Sequence, residues 1–135
     1  MAHRRATTPR SHCPISFALD QVGDRWTLLV LRDLVIVRKR TFRELSESPE
    51  GIASNILTAR LRSLEDAGFI VRTPDPESAR RILYEPTAKA LDLLPVMLEL
   101  VRWGARHDPQ TAAPAEFVRR IERDRAAVAE EIRAA

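Results

Sequence analysis

Three leucines decide what the middle of this chain can become. Between Ala53 and Gly68, Leu57, Leu61 and Leu64 recur at helical spacing and make one apolar stripe. Ser54, Asn55, Thr58 and Arg62 fall opposite them: three short hydrogen-bonding groups and one long cation. A helix so divided buries its leucines and turns its polar set to solvent. Gly68 stands where such a helix ends in a left-handed cap. Upstream, Thr41-Phe-Arg-Glu-Leu-Ser-Glu reads as a short helix with Thr41 as N-cap, and Glu44, three residues on, completes a capping box. Ser48-Pro-Glu-Gly-Ile between the two helices is a turn. Downstream, Phe69–Thr73 and Arg81–Thr87 read as short strands flanking Pro74–Arg80, a polar loop longer than a tight hairpin turn.

The flanking segments extend the pattern. Pro14 suits the first position of a helix, which puts Cys13 at its N-cap. Phe17, Ala18 and Val22 give that helix an apolar side, and Gly23 stops it. Asp24 caps the next helix, which runs from Trp26 to Ile36, is apolar nearly all round and is expected at the centre of the core. Thr87 opens a long helix to His107 that Pro95 must kink or restart. After a linker over 109–114, Val118, Ile121, Val128 and Ile132 recur at helical intervals, with Arg125 interrupting. So narrow a seam needs a packing partner, and a second copy of the chain is the expected one. The whole reads as a mainly α fold with a small β wing, a winged helix-turn-helix. The organisation is a flexible basic arm over 1–11, the winged domain over 12–107, and a linker with a dimerising helix over 108–135.

Charge adds a direction. The net charge of +3 is modest, but residues 1–43 hold nine Arg or Lys against three Asp or Glu. One basic end joined to a near-neutral remainder suggests a face made for an anion. Ser, Asn, Thr and Arg side chains donate in the geometries that base edges and phosphates offer in a major groove. Ser54, Asn55, Thr58 and Arg62 are therefore the candidate readers of double-stranded DNA. Arg80 and Arg81 border the loop and are candidates for flanking phosphates or the minor groove. Arg38, Lys39, Arg40 and Arg43 could neutralise backbone phosphates, although such runs are usually solvated faces. Arg60 lies beside the leucine stripe and is expected to pair with Glu44. Trp26 and Trp103 read as core aromatics.

Other chemistries find little support. One cysteine excludes an internal disulfide framework and a CxxC site. His12 and His3 near Cys13 have no adjoining acidic cluster, so neither a metal nor another cofactor is expected. There is no Ser/His/Asp order, carboxylate pair or Gly-rich phosphate loop, so an enzyme is not expected. No apolar run is long enough to span a membrane, and the first residues lack a signal-peptide core, which predicts a cytoplasmic protein.

The run from Cys13-Pro-Ile-Ser-Phe through Val22-Gly-Asp-Arg-Trp-Thr to Arg32-Asp resembles the opening of the HxlR-type transcriptional regulators. Arg40-Thr-Phe-Arg-Glu-Leu, Ile56-Leu-Thr-Ala-Arg-Leu through Gly68-Phe-Ile-Val, Tyr84-Glu-Pro-Thr, and Leu94-Pro-Val with Trp103 do the same. The likeness covers residues 13–107 in order; the tail from 110 to 135 falls outside it. That family is similar in fold to the wider MarR group. The resemblance implies a homodimer held by N- and C-terminal helices, which puts Phe17 and Trp103 at the interface alongside the seam of Val118, Ile121, Val128 and Ile132. It implies recognition helices in successive major grooves of a palindromic operator, and a protein that represses or, less often, activates.

Cys13 carries a separate expectation. A thiol at a helix N-terminus is favoured as thiolate, the form that oxidants and electrophiles attack. Some HxlR-type regulators sense them through a cysteine at this place, so the partners expected are DNA, a second copy and an oxidant or electrophile. A cysteine that merely packs on the first helix is the plain alternative. Two other readings stand beside the main one: a winged-helix protein-interaction module without DNA binding, and a small-molecule-responsive regulator with no thiol switch.

Overall fold

A computed structural model describes residues 10–135; of the expected basic arm, residues 1–9, with Arg4 and Arg5, lie outside the described residues. The order is α1 (Pro14–Val22), α2 (Thr27–Val35), α3 (Phe42–Ser46), α4 (Ser54–Asp66), β1 (Ile70–Asp75), β2 (Ser78–Pro86), α5 (Ala88–Leu91), α6 (Leu94–His107) and α7 (Ala115–Ala134). The chain divides after Lys89 into two compact units, so the boundary expected at residue 107 falls inside the second of them, between α6 and α7.

The first unit is built around α2. Val30, Leu31, Leu34 and Val35 are buried there, together with Leu45 of α3 and the Leu57, Leu61 and Leu64 stripe of α4. Burying one such leucine fully contributes about 1.5–3 kcal/mol relative to leaving it exposed, so this cluster is what holds α3 and α4 against α2. Asp24 caps α2 from further out than expected. Its carboxylate accepts the Trp26 and Thr27 amides at 3.1 Å each and the Thr27 hydroxyl, and regular helix begins only at Thr27. Gly23 caps the end of α1 at a place that suits only glycine, because a Cβ there would collide with the Leu19 carbonyl oxygen.

The capping box of α3 is present. The Glu44 amide donates to Thr41 Oγ1 at 3.2 Å, and Glu44 Oε1 accepts the Thr41 amide at 3.1 Å. Gly68 has φ +81° and closes α4 as the leucine spacing required.

The wing differs from its expected form. The strands run on to Asp75 and from Ser78, leaving only Pro76-Glu77 as a two-residue turn. Asp75 makes this tight turn possible: one carboxylate oxygen accepts the Glu77 amide at 2.9 Å and the other accepts Arg81 Nε at 2.8 Å. Each strand of a two-stranded sheet is an edge, so Pro74 is tolerated where a central strand would exclude it. The sheet is anchored at its base, where the Tyr84 amide donates to the Arg40 carbonyl at 2.7 Å.

In the second unit the expected long helix is two. It breaks at Asp92-Leu93, and Pro95 opens α6, where it has no amide to satisfy. Helix α7 packs with α6 and bends at Asp124 (φ −160°, ψ 83°), whose carboxylate then caps the second half through the Ala127 amide. The bend brings Arg120 onto Glu131, eleven residues away and out of reach along a straight helix. Ile121 and Val128 are buried within the single chain, and Val118 and Ile132 half-buried. The bend and the packing on α6 cover the middle of this seam within the one chain, while its ends at Val118 and Ile132 stay half-exposed. The reading of Trp103 as a core aromatic is corrected, since it is 60% exposed and touches only the His107 ring at 4.7 Å among described aromatics. Trp26 is half-buried, with the Arg25 guanidinium 5.6 Å from its ring.

Candidate nucleic-acid interface

Ser54, Asn55, Thr58 and Arg62 all lie exposed on α4, opposite its buried leucines. Positions 55, 58 and 62 follow at three- and four-residue steps, so they lie on one face of the helix. The Thr58 hydroxyl donates to the Ser54 carbonyl at 2.9 Å, which leaves its lone pairs and methyl group outward. Among the described residues no carboxylate pairs with Arg62.

The surroundings are basic and concave. A cleft of about 680 Å³ between α3 and the wing is lined by Thr41, Arg43, Ser78, Arg80, Arg81 and Tyr84. A smaller one of about 180 Å³ joins Phe42, Thr58, Arg62, Glu65 and Arg72 across α3, α4 and β1. Arg43, Arg72 and Arg80 are exposed, and none pairs with a carboxylate among the described residues. Arg72 was missed from sequence, because one arginine on a short strand carries no signal of which neighbour it will face. Its register opposite Tyr84 sets it beside Arg62.

Three other basic residues are engaged within the protein. Arg40 Nη1 donates to the Leu34 carbonyl at 2.6 Å and to its own neighbour Lys39 at 2.9 Å, which ties the end of α2 to the start of α3. Arg81 is held by Asp75, whose carboxyl lies below the usual range through the Glu77 amide and then Arg81 itself. Arg60 was expected to reach Glu44 and does not. The Glu44 carboxylate is folded back on the amides of Arg40 and Thr41, which hold it below the usual range, and Arg60 instead meets Asp24 at 3.4 Å. That pairing places Arg60 behind α4 rather than on its outer face.

Cys13 is exposed at the N-cap of α1. The amides of Ser16 and Ile15 lower its pKa below that of an ordinary cysteine. Among the described residues no three His, Cys, Asp or Glu side chains gather as metal ligands, and no helix is long and apolar enough to cross a membrane.

Two helices joined by a turn, the second presenting a polar face and followed by a two-stranded wing, define a winged helix-turn-helix protein. Residues 21–112 match the sequence pattern described as HxlR-like helix-turn-helix, and the chain belongs to that family of transcriptional regulators, which are not enzymes. An uncharacterised HTH-type transcriptional regulator of Synechocystis sp. is 37% identical over 93 residues, covering 69% of this chain and 68% of the relative. The crystal structure of PA1607 superimposes with a TM-score of 0.69 at 34% identity, over 78% of this chain and 73% of that one. The redox regulator HypR in its reduced form gives 0.60 at 28% identity, over 70% and 92%.

Proposed function

We propose that this protein is a homodimeric repressor that reads a palindromic operator with the outer face of α4. One observation carries the reading: Ser54, Asn55, Thr58 and Arg62 are exposed together on the helix that follows the turn, while that helix's apolar side is fully buried. Asn55 and Arg62 supply the paired donors and acceptors that distinguish bases, and Ser54 and Thr58 fix the register. Arg43, Arg72 and Arg80 are the phosphate and flank contacts. Arg40 and Arg81, expected in the same role, are assigned instead to holding the backbone that carries the others, because their guanidinium groups are already bonded. The exposed apolar side chains of α1 (Ile15 and Leu19 on one side, Phe17 on the other) and the apolar face of α6 (Val96, Leu100, Trp103) are the surfaces that the second copy covers.

Footprinting on the DNA upstream of the protein's own reading frame tests this. Two protected half-sites with centres about 34 Å apart, or a multiple of it, are expected. Protection that does not depend on sequence would reject operator reading.

A specific observation favours a thiol signal. The exposed Cys13, with its lowered pKa, is the reactive group of the first helix. Oxidation by diamide, or alkylation by a quinone, should release operator from wild type and not from Cys13→Ser. Equal loss in both proteins, or none in either, would remove the switch and leave DNA binding intact.

A further inference from the structure

The turn between α3 and α4 is clamped by a residue outside the helix-turn-helix. Arg32, on α2, donates from Nη1 to Glu50 Oε2 and from Nη2 to Glu50 Oε1, both at 2.8 Å, and from Nη2 to Ser48 Oγ at 3.0 Å. Ser48 Oγ in turn donates to Glu50 Oε1 at 2.8 Å. On its other side Arg32 Nε donates to Asp33 Oδ1 at 3.0 Å. Asp33 is 3% exposed and also meets Lys39 at 3.5 Å. The turn ends at Gly51, whose φ of +71° only glycine adopts freely, and the Gly51 amide donates to the Ser48 carbonyl at 3.0 Å.

We propose that Arg32 is a positioning residue for DNA recognition, setting the angle at which α4 leaves the turn through its two-pronged grip on Glu50 and Ser48. The inference rests on the reading of α4 as the DNA-reading helix. A fork-to-fork guanidinium–carboxylate pair fixes direction as well as distance, which a single ion pair does not. Packing of Leu57, Leu61 and Leu64 holds α4 against the core, but an apolar stripe is non-directional and tolerates a small rotation about the helix axis. The clamp removes that freedom at the end of α4 nearest Ser54 and Asn55. Asp33, buried and itself paired with Lys39, holds the guanidinium from behind, so the grip is anchored in the core rather than afloat on the surface.

Arg32→Lys keeps the charge and loses the fork, and Glu50→Gln keeps the shape and loses the charge. Each is compared with wild type for binding to the footprinted operator and to unrelated DNA across a salt series, well below its melting temperature. Operator affinity is expected to fall about fivefold or more, the effect of spoiling one bidentate base contact. Affinity for unrelated DNA and the salt slope should stay unchanged, and the double variant should be no worse than the worse single one. In the free protein, amide exchange at Gly51 should quicken in both variants.

Unchanged operator affinity would overturn the proposal, as would a parallel fall on both DNAs with a salt slope lower by about one, which marks a phosphate contact. If wild type itself prefers no sequence, the DNA-reading assignment fails instead. The exchange measurement then decides on its own: unaltered Gly51 exchange removes the clamp.

Discussion

Glu50 sits on a surface turn, yet its carboxyl titrates at about 2, because the Arg32 guanidinium binds its charged form, with help from Ser48. A carboxyl whose pKa is lower folded than unfolded stabilises the protein above its unfolded value near 4.5 and loses that contribution as pH falls toward 2. Acid titrations of stability should therefore be less steep for Glu50→Gln than for wild type between about pH 4.5 and pH 2, with the two curves parallel above pH 5. Circular dichroism melts across that range check it, and superimposed acid limbs would show the pair contributes nothing. None of this was legible in Ser48-Pro-Glu-Gly, which announces a turn and says nothing of a partner eighteen residues upstream. The same blindness sent Arg60 to Glu44 instead of Asp24: a sequence shows which side chains carry charge, and only the packed backbone shows which acceptor each one reaches first.

Elements were far more legible, because their signals are local. The leucine period, the Thr41–Glu44 box and the Gly68 stop all act within one helix or its ends, and all three stand where the residues put them. Gly68 gives a direct check: Gly68→Ala places a Cβ at φ +81° and should cost about 1 kcal/mol of stability by urea denaturation. No loss there would mean that the end of α4 adopts another conformation. Elements were misread where a side chain intervened from outside the local pattern. Two prolines and several polar residues suggested a long wing loop, but the Asp75 carboxylate takes the place of a backbone acceptor and tightens the turn to two residues. Likewise Asp124 breaks α7 and caps its own continuation, a bend that the helical spacing of Val118, Ile121, Val128 and Ile132 did not announce.

For the molecule as a whole, the exposed large apolar residues among those described group on α1 and α6, with Val37 and Val71 exposed singly elsewhere. Symmetric dimers are the commonest soluble assembly, and an exposed tryptophan with neighbouring Leu100 and Val96 is a large apolar surface for a lone chain to leave wet. Sedimentation should give a dimer for wild type, and Leu100→Glu with Trp103→Glu should give a folded monomer with weakened operator binding. A wild-type monomer at micromolar concentration, or an intact dimer in the double variant, would move the interface elsewhere. What joins all scales is the outer face of α4, placed by the core, steadied at the turn and flanked by arginines that pair with no carboxylate among the described residues. The most direct test is the operator affinity of Asn55→Ala/Arg62→Ala beside wild type, with folding verified by an unchanged melting temperature. A loss of at least about 1–3 kcal/mol on the operator, larger than on unrelated DNA, is predicted. Operator affinity equal to wild type would contradict the assignment of α4 as the reading helix.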